Sequence, residues 1–333
     1  MKHSGYLTTS GAEIYYEQYG SGTPLLILHG NSQSLAVFYP FLRMFLPYFQ
    51  VILMDSRGHG RSRLSVHTAL HGFSTEDMAD DVIALLDHLH LSSVHLLGFS
   101  DGANIGLEIA CKYPERLKTL ICISANASPD GLLTPLHLAA QMQHSILNLL
   151  LPVLKCSFSS ASASSGSSAV SALSNLEASL PFQKKFSVSA TSAVCANKKR
   201  QHHFKSIFPR IPAEQRMCIP QSVFLCHRAK LPVTQKKKPD FLTRLTHRVL
   251  RRRNLTSLLL HSPRLSARKL QTISVPVLLI AGTRDLIKPS HSRWLARQIP
   301  TSRLLLMTGG RHTSIFRTPA PYLRAILEFL RRS

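Results

Sequence analysis

Val94-His95-Leu96-Leu97-Gly98-Phe99-Ser100-Asp101-Gly102-Ala103-Asn104-Ile105-Gly106 is the stretch whose reading decides the fold. Residues 94–97 form a short apolar run of strand character, and a helix bearing Ile105, Leu107, Ile109 and Ala110 begins near Asp101. Between them, Gly98-Phe99-Ser100-Asp101-Gly102 fits G-x-S-x-G, a serine placed on a sharp strand-to-helix turn. Such a turn strains the serine backbone and survives only beside residues without clashing side chains, a role that Gly98 and Gly102 fill. The helix start then aims free backbone N–H groups, that of Asp101 first, at any anion forming beside Ser100. An ordinary turn is the competing reading, so the surroundings must decide.

Upstream, residues 6–19 read as a β-hairpin broken at Gly11, and Pro24-Leu25-Leu26-Ile27-Leu28 is a strand apolar on both faces. It runs into His29-Gly30-Asn31-Ser32. Residues 35–46 have helical character. Gln50-Val51-Ile52-Leu53-Met54 is a second buried strand, followed by Asp55-Ser56-Arg57-Gly58-His59-Gly60-Arg61-Ser62. Ser74, with Asp77 three residues on, caps a helix to His88. Downstream of the serine, 117–123, 276–280 and 302–307 read as strands, and a final helix covers 319–330. This alternation predicts an α/β fold with a mostly parallel sheet flanked by helices.

The middle of the chain breaks the alternation. Residues 129–154 are apolar and helical in pattern, and 157–179 are rich in Ser and Ala. Residues 184–253 are basic, interrupted by proline and without clear period, which predicts disorder or weak order. The expected organisation is a core in two parts, 1–128 and 256–333, around an insert at 129–255. Charge follows it. The net charge of +23 is concentrated in residues 152–272, where 22 Lys and Arg stand against 3 Asp and Glu. The six cysteines lack any paired spacing, so neither a disulfide framework nor a metal site is expected, and no cofactor. No apolar stretch follows Met1-Lys2-His3-Ser4-Gly5, and the longest apolar run, 146–154, is too short for a bilayer. The expectation is a soluble cytoplasmic protein without a transmembrane segment; its oligomeric state is not legible.

A serine nucleophile needs a base within hydrogen-bond reach and an acid to orient that base. His312, in the glycine-rich loop after the last strand, is the foremost candidate base; His291 and His261 are weaker ones. Asp285 holds the same place after the preceding strand and is the candidate acid, with Asp130 in reserve. His312 and Asp285 would both meet Ser100 at the C-terminal edge of the sheet, in the order Ser…Asp…His expected with this turn. An oxyanion would take its N–H donors from Asp101 and Asn31. His29 reads as structural, and Asp55, Arg57 and His59 as a loop tied down by local ion pairing.

Together, His29-Gly30-Asn31, Asp55-Ser56-Arg57-Gly58-His59-Gly60-Arg61-Ser62, Gly98-Phe99-Ser100-Asp101-Gly102, Gly282-Thr283-Arg284-Asp285 and Gly310-Arg311-His312 resemble the α/β-hydrolase superfamily. More narrowly, they are similar to its small-ester hydrolases and lactonases, valacyclovir-hydrolase-like and enol-lactonase-like members among them. The resemblance covers about 1–130 and 256–333. It implies acyl transfer by Ser100, Asp285 and His312, an oxyanion hole at Asn31 and Asp101, and a helical lid inserted after the sixth strand. The departure is 155–254, which lacks the helical period of such a lid. The expected activity is hydrolysis of a small carboxylic ester, thioester or lactone. Carbon–carbon bond hydrolysis by the same residues is the alternative, and serine in the turn disfavours dehalogenase or epoxide hydrolase chemistry. Two further alternatives are nonspecific binding of nucleic acid or an acidic surface through 184–253, and a hydrolase-like scaffold without turnover.

Overall fold

A computed structural model describes residues 2–161 and 241–332. The expected weakly ordered region falls for the most part outside the described residues. Nine strands make one sheet among those residues. They are β1 (Lys2–Thr9), β2 (Ala12–Tyr19), β3 (Thr23–Leu28), β4 (Phe49–Met54), β5 (Arg63–Leu64), β6 (Val94–Phe99), β7 (Leu117–Ile123), β8 (Val277–Gly282) and β9 (Ser302–Met307). Their order is β1-β2-β4-β3-β6-β7-β8-β9, with β5 beside β2. β2 pairs antiparallel with β1, β4 and β5, and every pair from β4 to β9 is parallel.

The apolar runs are long because both faces of the parallel strands are covered. Leu26, Leu28, Ile52, Met54, Leu96, Leu120, Cys122 and Leu279 point into one core, together with Met78, Val82, Leu85, Ile105 and Ile109. Their neighbours Leu25, Ile27, Val51, Leu53, Leu97, Ile121 and Ile280 are buried as well.

The helices are α1 (Leu42–Phe45), α2 (Val66–His71), α3 (Thr75–His88), α4 (Asp101–Lys112), α5 (Thr134–Ala161), α6 (Phe241–His261), α7 (Ala267–Gln271), α8 (Pro289–Gln298), α9 (Ser314–Arg317) and α10 (Pro319–Arg332). The cap of α3 is the one its sequence calls for. Ser74 Oγ accepts from the Asp77 N–H at 3.2 Å, and Asp77 Oδ2 accepts from the Ser74 N–H at 2.8 Å.

Three stretches differ from expectation. Residues 35–46 are not one helix but a 3-10 segment, Leu35–Phe41, followed by the single turn α1, because Pro40 removes a backbone donor in the middle. Residues 129–133 precede α5 rather than starting it. Leu133 N–H donates to Leu286 O at 2.9 Å and Lys288 N–H to Gly131 O at 2.8 Å, tying this segment to the loop after β8. Finally, Phe241–His261 is helix, although most of it falls in the stretch expected to be weakly ordered. Val249, Leu250, Leu255 and Leu258 are buried, and Arg251-Arg252-Arg253 masks their helical period in the sequence. Two of those arginines bond carbonyls, Arg251 at Gly58 (2.9 Å) and Arg253 at Leu70 (2.8 Å).

The chain divides into a compact unit of Met1–Asn148 with Val249–Ser333 and a second of Leu149–Arg248. Among the described residues no helix is long and apolar enough to cross a membrane. Since the α3 cap satisfies two otherwise orphaned donors, Ser74→Ala is expected to cost about 1 kcal/mol of stability, read as a lower urea midpoint with unchanged slope.

Candidate active site

Ser100 stands between β6 and α4 with φ 54° and ψ −119°, a conformation strained for any residue with a side chain. The backbone around it is too close-packed to relax. A Cβ on Gly98 would run into the carbonyl of Gly102, and one on Gly102 into the carbonyl of Leu28. Hydrogen bonds finish the turn: Ser100 N–H donates to Ile123 O at 2.8 Å, and Ser100 O accepts from Ala103 N–H (2.8 Å) and Asn104 N–H (3.0 Å). The glycines read from the sequence are therefore steric requirements.

His312 and Asp285 arrive through a second close approach. A Cβ on Gly282 would meet the Gly310 carbonyl, and Arg284 N–H donates to Gly310 O at 2.9 Å. The loops after β8 and β9 are thereby joined, and their side chains reach each other. His312 Nδ1 lies 2.6 Å from Asp285 Oδ1, and His312 Nε2 lies 3.1 Å from Ser100 Oγ. Because Nδ1 faces a carboxylate it carries the proton, which leaves the Nε2 lone pair to accept from the Ser100 hydroxyl.

Asp285 is 2% exposed, yet its carboxylate has many donors. Oδ2 accepts from Ser124 Oγ at 2.5 Å and Gly282 N–H at 3.3 Å, and Oδ1 also accepts from Leu286 N–H at 2.6 Å. Burial alone would push this carboxyl up. The hydrogen bond from His312, the attraction to that imidazole once it is protonated, and the hydrogen bonds from Ser124 and Gly282 outweigh it and hold the group below the ordinary aspartate value.

Asp101 behaves oppositely. Burial pushes its carboxyl up to about 6, against the Asn31 hydrogen bond and the His312 charge. Its backbone N–H belongs to the first turn of α4 and has no partner within the helix. Asn31 is brought alongside by the turn after β3, where a Cβ on Gly30 would lie 3.0 Å from Ser100 Cβ. In that turn Gly30 N–H donates to Gln33 Oε1 (2.9 Å), Ser32 N–H to His59 Nε2 (3.1 Å) and Gln33 N–H to Gly30 O (3.2 Å). The Asn31 N–H has no such acceptor among the described residues. The Asn31 side chain donates to Asp101 Oδ2 at 2.9 Å and to Leu255 O at 3.0 Å.

All five residues singled out in the sequence thus gather at one edge of the sheet. The reserves do not join them. Asp130 is exposed, His291 Nε2 accepts from the Ala127 N–H at 3.0 Å, and His261 Nδ1 faces Ser257 O at 3.1 Å. His29 is structural, as expected: Nδ1 donates to Gly30 O (2.8 Å) and Nε2 accepts from Ser56 N–H (3.1 Å). Burial holds it and His59 below the ordinary histidine value, hence neutral.

The expected local ion pairing of Asp55, Arg57 and His59 is corrected. Asp55 accepts the Leu35 and Arg61 N–H groups at 2.7 and 2.8 Å, which occupies both its oxygens. Arg57 turns instead to Asp81 of α3 in a two-pronged pair of 2.6 and 2.7 Å.

Three residues around the site escaped the sequence reading. Ser124, buried at φ 58° just past β7, braces Asp285, and its place at the strand edge was the available signal. Phe99 packs against His312, its ring 5.0 Å from the imidazole, and the Phe316 ring lies 5.0 Å from that of Phe99. Nothing in the spacing of these two phenylalanines announces that contact.

A sheet ordered this way, with a serine on a strained turn and a His–Asp pair from the last two strand ends, is the architecture of α/β hydrolases. A family profile described as alpha/beta hydrolase fold matches residues 23–319, and the chain belongs to that family. RutD of Azorhizobium caulinodans, by its name a candidate carbamate hydrolase, is 33% identical over 128 residues, covering 38% of this chain and 47% of the relative. The uncharacterized hydrolase YraK of Bacillus subtilis is 31% identical over 119 residues, 36% of this chain and 43% of the relative. The chain thus spans somewhat under half the length of these curated relatives. Among solved structures, the enol-lactonase of Burkholderia xenovorans superposes with TM-score 0.58 at 18% identity, covering 98% of this chain and 99% of that one. A thermophilic esterase of Thermogutta terrifontis gives 0.59 at 20% identity over 99% and 98%. At such identities the likeness is one of fold.

The depressed Asp285 carboxyl makes a pH prediction. A group whose folded value lies below its unfolded value of about 3.9 adds stability above that pH and loses it as pH falls through the folded value. The stability gap between wild type and Asp285→Asn is therefore expected to be full at pH 7 and to close in acid, measured as urea midpoints from pH 7 to 2.

Proposed function

We propose that this protein is a serine hydrolase that cleaves a small carboxylic ester, thioester or lactone through an acyl-enzyme. The observation that carries the reading is the position of His312, 3.1 Å from Ser100 Oγ on one side and 2.6 Å from the Asp285 carboxylate on the other. Ser100 Oγ attacks the substrate carbonyl while His312 Nε2 takes its proton, and Asp285 stabilises the resulting imidazolium. The tetrahedral oxyanion is received by the backbone N–H groups of Asp101 and Asn31. His312 returns the proton to the leaving group as the acyl-enzyme forms. It then takes a proton from water as the water oxygen attacks the acyl carbon, and gives that proton to Ser100 Oγ as the acyl–Oγ bond breaks and the acid leaves.

The partial likeness to RutD sets carbamates beside esters among acyl groups to be tried, since the same attack serves both.

A fluorophosphonate probe is expected to label the wild-type protein at Ser100 and to leave Ser100→Ala unlabelled. On a chain-length panel of chromogenic esters, thioesters, lactones and carbamates, Ser100→Ala and His312→Ala should each lower kcat by at least about 10³-fold. A wild-type protein that takes no probe and turns over no member of the panel defeats the reading.

A further inference from the structure

Resting on the acyl-transfer reading, we infer that the side chains of Asn31 and Asp101 are a positioning pair: each belongs to a residue offering one oxyanion N–H, and their hydrogen bond sets the two donors against each other. The donors come from segments remote in sequence, the turn after β3 and the start of α4. An oxyanion hole works only when its donors converge on one point to within about 0.5 Å. The two sides are unequally anchored. The Asp101 backbone is fixed by the helix and by the contact of Gly102 with the Leu28 carbonyl. Asn31 sits in a turn, where its own N–H makes no bond among the described residues. Its side chain supplies the missing restraint.

Asn31 Nδ2 spends both protons, one on Asp101 Oδ2 (2.9 Å) and one on Leu255 O (3.0 Å), while Oδ1 accepts from Ser32 Oγ at 2.8 Å. An amide held at three points leaves its backbone little freedom. The anchor is well chosen, because Asp101 is 6% exposed and cannot swing into water to release it. A buried carboxylate beside a forming oxyanion is unfavourable by charge alone, so its presence calls for a compensating use. Gripping Asn31 is that use, with the positive His312 imidazolium as the other beneficiary. The bond to Leu255 extends the restraint to α6.

The test is a double-mutant cycle on kcat and KM with the best ester of the panel, each rate normalised to sites titrated by fluorophosphonate so that misfolded protein does not count. Asn31→Ala keeps its backbone N–H, so any loss in it is a loss of position. Asn31→Ala and Asp101→Ala are each expected to lower kcat about ten- to a hundredfold with KM within about twofold, less than the roughly 10²–10³-fold of deleting a donor outright. The double variant should be no slower than the slower single, since both remove one bond. The reciprocal exchange adds a second arm that does not depend on an alanine variant folding. Asn31→Asp alone opposes two carboxylates, whereas Asn31→Asp with Asp101→Asn restores the bond in reverse and should regain about tenfold in kcat. Losses that multiply in the double variant, or an exchange that regains nothing, overturn the pair while leaving the acyl-transfer reading intact. A wild type unlabelled by the probe overturns both.

Discussion

The structure depends on one steric constraint, the close approach of backbone to backbone around Ser100. β6 must pass directly into α4 within a single residue, and this is possible only because Gly98 and Gly102 bring main chain against main chain. The strain stored at Ser100, on the order of 1–3 kcal/mol, is held by the parallel ladder to β7 and by the first turn of α4. A serine in ordinary helical or strand geometry would lie on the surface of its element. Here it stands proud of the sheet edge, where the loops after β3, β8 and β9 can reach it. The approach of Gly282 to Gly310 repeats the device one layer further along and delivers Asp285 and His312 together.

Around this frame, burial and hydrogen bonding are balanced differently for each ionisable group. Asp285 is buried, but donors on both oxygens and the adjacent imidazole keep it ionised. Asp101, with fewer donors, is pushed the other way. His29 and His59 lose their charge to burial and serve as neutral struts, each giving its Nδ1 proton to a carbonyl and accepting a backbone N–H at Nε2. The charge of Arg57 is spent on Asp81, clamping the loop after β4 to α3. The five histidine and aspartate residues Asp285, Asp101, His29, His59 and His312 therefore have separate physical roles, and of these only His312 turns a free lone pair to Ser100.

The strands other than β5, the cap at Ser74, the turn at Ser100 and the order Ser100, Asp285, His312 were legible in the sequence, because each is written in local pattern: apolar runs, a capping pair, glycines flanking a serine. The α6 helix was not, since three arginines interrupt its apolar period, and their reach to Gly58 and Leu70 exists only once the fold brings those carbonyls near. Ser124 was not, because a serine at a strand end looks like any turn residue until Asp285 arrives beside it.

By itself, the sequence determined the fold class and which residues gather at the sheet edge, since hydrophobic period and glycine placement act over a few residues. Tertiary structure alone decided the pairings: Arg57 with Asp81 rather than its own loop, Ser124 with Asp285, Asn31 with Asp101. Those choices depend on distances between segments tens to hundreds of residues apart, and such distances exist only after the sheet has closed.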